Sequence, residues 1–250
     1  MYFSYYRHCC LLMAAALFGL FSVGVQAGIV INTTRVIYPA ADKEVSFGVH
    51  NTRSSEILVQ SWLEPGAGHT DPDNLPFIIT PSLARLSGGG RQLLRVVYAG
   101  TDMPQDRESV LWLNVQEIPQ AAGDNALQVA IRQRMKLFFR PRNLKGEPAD
   151  APEKLSWQLA DRNTVQVFNP GPYHVSMVRI LGRQGDAQRL NQDSQMIAPG
   201  QSLKFSLASA VNNGALQLSF LSINDFGAQV AYQATLKAGI SAAAVMTELP

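Results

Sequence analysis

The residues of this chain best able to do chemistry are cations set in a row. Arg132, Arg134 and Lys136 alternate with uncharged neighbours, and Arg140 and Arg142 follow closely. A spacing of two puts the first three on one face of a strand, while Leu127, Val129, Ile131, Met135, Leu137 and Phe139 fall on the other. Such a strand can pair through its backbone and hold an anion through its cationic side. Arg35, far upstream, adds a planar guanidinium fork that would share a carboxylate with the point charge of Lys136 if the two met. Spacing alone does not bring them together. The plainer reading makes each a separate surface cation and the row a guard against edge-to-edge aggregation.

Covalent chemistry has thinner support. Beyond the first 27 residues the histidines are His50, His69 and His174, and none sits in a nucleophile-elbow or zinc-binding pattern. Gly88-Gly89-Gly90 lacks the Lys-Ser/Thr of a phosphate loop and reads as a hairpin turn. Asp225-Phe226-Gly227 has the letters of a kinase metal-binding tripeptide without its companion motifs, and reads as a corner between strands. No catalytic residue, metal ligand or cofactor is therefore expected. The formal charge of +2 is too small for broad phosphate neutralisation, which argues against nucleic acid as a partner.

These residues need elements to position them. Residues 1–27 read as a cleaved secretory signal: Arg7, an apolar run over 11–25, and Val25-Gln26-Ala27 as a small-residue cleavage site. Gly19, Ser22 and Gly24 interrupt the run and no charged stop-transfer flank follows, so no membrane insertion is expected after cleavage. The mature chain would begin at Gly28. Both cysteines, Cys9 and Cys10, fall inside the signal, leaving none for a disulfide or a thiolate site. Export without disulfides points to a bacterial periplasm.

Residues 28–143 carry seven strand-like runs, at 30–38, 44–51, 56–64, 77–80, 92–99, 108–117 and 126–139, with Gly, Pro, Asn and Asp between them. Regular strand spacing without helical period reads as an all-β, immunoglobulin-like sandwich, with Trp62 as a buried aromatic anchor. A Pro- and Gly-containing linker over 142–152 leads to a second β-sandwich within 150–250, with runs at 154–159, 164–168, 174–181, 202–207, 215–223 and 228–236. The small-residue stretch 239–250 is expected to fray.

Several long motifs, in order along almost the whole mature chain, carry a resemblance. MPQDRESVLWLNVQEIP at 103–119 resembles the signature of the periplasmic pilus (fimbrial) assembly chaperones of the chaperone-usher pathway, and RQRMKLFFRP at 132–141 resembles the last strand of their first domain. TRVIYP at 34–39, TPSLARL at 80–86 and SINDFG at 222–227 also fall in the family's order. The short loop between Pro119 and Ala126 is similar to the short-loop subgroup, which serves rod-like pili.

The resemblance implies two immunoglobulin-like domains in a boomerang. In the cleft between them, Arg35 and Lys136 would hold the C-terminal carboxylate of a pilus subunit. Leu127, Val129 and Ile131 would enter the groove that an incomplete subunit leaves open, by strand addition, a mode already known for this family rather than one read from these residues. Glu108, Arg140 and Asp225 would pair across the domain junction and set its angle. The implied partners are pilus subunits and an outer-membrane usher, with a self-capping homodimer as a way to mask the free edge. The competing reading from another class is an exported carbohydrate-binding or adhesive β-sandwich acting through its loops.

Alternation raises one difficulty. It puts Lys136 on the strand face opposite Leu127, Val129 and Ile131, so a twist or bulge between them, or a sideways reach by Lys136, is expected. Met135, Leu137 and Phe139 are expected to pack inside.

Overall fold

A computed structural model describes residues 28–66, 75–100, 103–121, 123, 128–212 and 214–248. The expected signal at 1–27, His69 and Leu127 lie outside the described residues.

Alternating apolar side chains fold the first half into two facing sheets. One is four-stranded, in the order β1 (Ile29–Ile31), β3 (Glu44–Asn51), β7 (Arg91–Tyr98), β5 (Phe77–Thr80). The other has five strands, in the order β2 (Arg35–Pro39), β9 (Arg132–Arg140), β8 (Ser109–Pro119), β4 (Ile57–Glu64), β6 (Leu83–Leu86). The core between them includes Tyr38, Phe77, Leu94, Leu111, Leu137 and Phe139. The Tyr38 hydroxyl is satisfied there, donating to the Lys43 carbonyl at 2.9 Å and accepting from the Tyr98 amide at 3.1 Å.

The run expected at 30–38 is two strands in different sheets. After Ile31, Asn32 accepts a hydrogen bond from the Gly48 amide at 2.8 Å and the Thr33 hydroxyl donates to the Arg35 carbonyl. These side-chain bonds stand in for ladder bonds where the chain crosses over. Leu83–Leu86 is a further strand, giving nine among the described residues where seven were expected.

The strand expected at 126–139 also needs correction, because its ladder with β8 starts at Arg132. The outermost register pair is Gln116 with Arg132, and the Glu117 amide donates to the Ile131 carbonyl at 3.0 Å. Residues 128–131 lie beyond the strand, and on the other side β2 begins only at Arg35, opposite Lys136. Side-chain alternation reports which way residues face; backbone partners decide how long the strand is.

The second half forms another sandwich. Its three-stranded sheet runs β10 (Ser156–Asp161), β11 (Thr164–Phe168), β14 (Ser202–Ser206). Its five-stranded sheet runs β13 (Ala187–Ile197), β12 (Val175–Gln184), β15 (Leu216–Ile223), β16 (Gln229–Leu236), β17 (Val245–Thr247). Trp157, Phe205, Phe220 and Tyr232 stack in its core. Trp62, expected inside the first sandwich, instead faces outward, because Ile57, Val59 and Ser61 take the inward parity of β4.

The tail does not fray as a whole. Val245–Thr247 pairs with β16, and Trp157 and Ala242 exchange backbone hydrogen bonds of 2.9 and 2.8 Å. The linker is tied to the second sandwich: the Tyr173 hydroxyl donates to the Gly146 carbonyl at 2.8 Å, and Ala151 and Leu155 are buried in that core. A single 3-10 turn, Pro148–Asp150, interrupts it.

Candidate functional site

The even-numbered side chains of β9 run along the outer face of the first sandwich and into its seam with the second. Arg132 and Arg134 lie over the rings of Trp62 and Trp112, at 4.8 and 4.1 Å, and both pair with Glu64. Further along, Lys136 donates to the Ser176 hydroxyl at 3.1 Å, the Phe138 ring sits 5.7 Å from that of His174, and Arg140 reaches Asp225. The register with β8 is continuous from Gln116–Arg132 to Ser109–Phe139, so no bulge intervenes between Arg132 and Lys136. Met135, Leu137 and Phe139 lie in the core on the opposite face.

Arg35 and Lys136 come together here. The strands β2 and β9 run parallel with Arg35 in register with Lys136, which puts both cations on one face at the mouth of the interdomain cleft. Arg35 is 9% exposed; its Nη1 donates to the Ile223 carbonyl at 2.9 Å, and its buried Nε has no hydrogen-bond partner among the described residues. Burial pushes the Arg35 guanidinium below its ordinary pKa, against the pull of Asp225 and Glu108. Burial, joined by repulsion from Arg35, brings the Lys136 ammonium down to about 8, and no carboxylate offsets it. The two cations thus stand together at the seam, with Lys136 offset by no carboxylate among the described residues.

The walls of this cleft come mainly from the second sandwich and include Ser176, Ile223, Phe226 and Met246. Phe226 is 94% exposed. Sequence reasoning missed Ser176 and Met246, and quoted Ile223 and Phe226 only within the motif SINDFG, without a role at a site. Only the neighbouring Asp225 motif pointed to that corner of the chain, since no local pattern marks a side chain that works across a domain seam.

Glu108, Arg140 and Asp225 meet as a network. Arg140 binds Asp225 in a fork, at 2.7 and 3.1 Å, and Glu108 at 3.2 Å, and stands 5.4 Å from the Tyr173 ring. Glu108 is bound on its other oxygen by the His174 amide at 3.1 Å. Burial opposes the Arg140 charge, but the two carboxylates outweigh it and hold the guanidinium above its ordinary pKa. The seam ends of β8 and β9 are thereby tied to two corners of the second sandwich.

The apolar row proposed for groove contacts is only partly in view. Leu127 lies outside the described residues, Val129 is 58% exposed, and Ile131 is half-buried where the ladder ends. Beside them, residues 132–135 of β9 have β8 on one side and, among the described residues, no strand on the other. Among the described residues no cluster of three His, Cys, Asp or Glu side chains is placed to hold a metal, and no helix is long and apolar enough to cross a membrane.

Two family profiles match the chain: "Pili and flagellar-assembly chaperone, PapD N-terminal domain" over residues 28–145, and "Pili assembly chaperone PapD, C-terminal domain" over 150–234. Similar proteins include the Chaperone protein FimB/FhaD of Bordetella pertussis, 35% identical and covering 90% of this chain and 94% of its own. The Chaperone protein MrkB of Klebsiella pneumoniae is 37% identical, covering 87% and 96%. Among solved structures, the YadV chaperone superposes with a TM-score of 0.73 at 36% identity, over 84% of this chain and all of that one. The SafB chaperone of Salmonella enterica, solved in complex with SafA pilin, matches with a TM-score of 0.68 at 28% identity, over 84% of this chain and 97% of that one.

Proposed function

This chain belongs to the pilus-assembly chaperones, a non-enzymatic family, and on that basis we propose that it works in the periplasm, capturing pilus subunits by donor-strand complementation and passing them to an outer-membrane usher. The observation that carries the reading is the register pair Arg35 and Lys136 at the cleft mouth, beside a strand edge left open. Arg35 and Lys136 grip the C-terminal carboxylate of the subunit. A chain end can occupy only one place, so the grip sets the register in which the rest of the subunit docks.

An incomplete subunit exposes unpaired amides and an apolar groove, both prone to aggregation. The edge at 132–135 and the segment 128–131 beyond it offer a ladder to those amides, and Leu127, Val129 and Ile131 fill the groove. Burial of each contributes about 1.5–3 kcal/mol. Lys136 and the apolar row need not share a strand face, because the carboxylate meets the outer face at the seam while the row leaves the core face beyond the sandwich. The Glu108–Arg140–Asp225 network fixes the cleft angle. Without a client, a second copy covers the same edge as a homodimer.

The test is an affinity pull-down of tagged protein from its native periplasm, wild type beside Lys136→Ala, with intact-mass analysis of what co-purifies. A stoichiometric β-rich partner held by wild type and lost in the variant is expected; the same partner surviving the substitution would refute the clamp.

A further inference from the structure

Glu117, near the end of β8 away from the interdomain seam, is a carboxylate with no solvent exposure and one unanswered oxygen. Its Oε1 accepts from Arg53 Nη2 at 2.9 Å, while Oε2 is buried without a hydrogen-bond partner among the described residues. A half-satisfied buried carboxylate is costly, and Arg53 supplies a single bond from a partly exposed side chain.

The orphan oxygen points at Gly28. A Cβ built on Gly28 would overlap the Glu117 carboxylate, whose atoms are its three nearest neighbours. An oxygen standing where a Cβ would be lies within about 4 Å of that residue's own nitrogen. Gly28 is buried too, its carbonyl held by the Thr52 amide at 3.1 Å. In the uncleaved chain the nitrogen of Gly28 is a neutral amide. Hydrolysis of the Ala27–Gly28 bond by water leaves a carboxylate on Ala27 and an amine on Gly28, which takes up a proton.

We propose that Glu117 is the receptor for the α-ammonium of Gly28 that signal removal creates, so that maturation completes a buried Arg53–Glu117–ammonium triad. The ligand is a primary ammonium supplied by the chain itself, and a side chain at the first mature position would have to displace the carboxylate. The latch lies beside the proposed donor segment: the Gln133 side-chain amide donates to the Ile29 carbonyl at 3.0 Å, and the Glu117 amide to the Ile131 carbonyl at 3.0 Å. Maturation would thus anchor β1 against the start of β9. The inference rests on the reading of the chain as exported and cleaved after Ala27.

The test compares periplasmic protein whose intact mass begins at Gly28 with the same chain carrying one extra N-terminal alanine, each with Glu117 and with Glu117→Gln. The extension is expected to lower the thermal midpoint by roughly 5–10 °C with Glu117 present, and hardly at all in the Glu117→Gln background, where the receptor has lost its charge. The Gly28 amine, followed by NMR or by pH-dependent acylation, is expected to titrate about one unit or more above the ordinary value near 8, and to fall back in Glu117→Gln. Should Glu117→Gln fail to fold, the extension and the amine titration in the Glu117 protein decide the matter alone. Equal midpoints with an ordinary amine, or a mature chain beginning elsewhere than Gly28, would overturn the proposal. Subunit capture by the same wild-type protein, measured alongside, reports on the proposed function separately.

Discussion

Arg35 and Lys136 are register partners on the parallel strands β2 and β9, two cations side by side at a domain seam. Burial first, and then repulsion from Arg35, depress the Lys136 ammonium. The arrangement is unfavourable for the free protein and favourable for one that binds an anion.

Lys136→Ala and Arg35→Ala are each expected to weaken subunit capture at least about tenfold, the worth of one charge-assisted hydrogen bond of roughly 1.5–3 kcal/mol. Because burial already opposes the Lys136 charge, Lys136→Ala should leave the thermal midpoint of the free protein unchanged or raise it. Calorimetry beside a binding titration checks both, and a variant that loses binding only because it unfolds would count against the clamp.

The Lys136 value of about 8 fixes the direction of a pH effect. Below pH 8 the free protein carries the charged ammonium. A bound carboxylate favours that charged form, so binding above pH 8 takes up a proton and affinity falls by up to about tenfold per pH unit. The unfolded chain keeps this proton up to its ordinary value of 10.5 while the folded chain releases it near 8, so the contribution of this group to free-protein stability rises with pH between those values. Lys136→Arg should remove the alkaline fall in affinity. Titrations from about pH 6 to about pH 10 would show it, and a flat wild-type profile would contradict it.

Arg140→Ala strands a buried Glu108 and is expected to cost about 3–5 kcal/mol, with a broadened distribution of interdomain angles in small-angle scattering. Asp225→Ala should cost less, since Asp225 is 34% exposed and Arg140 keeps Glu108. Equal effects of the two substitutions would argue against a network centred on Arg140.

Val129→Asp is expected to leave free-protein stability within about 0.5 kcal/mol, because the side chain already faces water, yet to reduce subunit capture sharply by placing a charge in an apolar groove. Unfolding curves and the pull-down separate the two effects, and unimpaired capture would remove Val129 from the donor row.

Much of this fold was legible because half-buried strands advertise themselves by alternation, and β3, β4, β7 and β11 lie close to where periodicity puts them. β13 was not legible: AQRLNQDSQMI is an edge strand with few inward apolar residues, and what defines it is the β12 ladder, not its own pattern. The split between β1 and β2 was hidden for a related reason, since Val30, Val36 and Tyr38 keep a strand-like composition through a change of sheet. Trp62 misled because residue type suggested a core while its parity on β4 faces it to Arg132. At the site, Arg35, Lys136, Glu108, Arg140 and Asp225 stood out by charge or motif. Ser176 and Tyr173 did not, because their roles arise only when the two sandwiches meet.

The carboxylate clamp is tested most sharply by the affinity of wild type and Lys136→Ala for one purified subunit bearing either its free C-terminal carboxylate or a carboxamide. Amidation is expected to weaken binding to wild type at least about tenfold and to have little further effect on Lys136→Ala, because both changes remove the same interaction. Equal affinity of wild type for the two subunits, or additive losses in the doubly altered pair, would contradict the clamp.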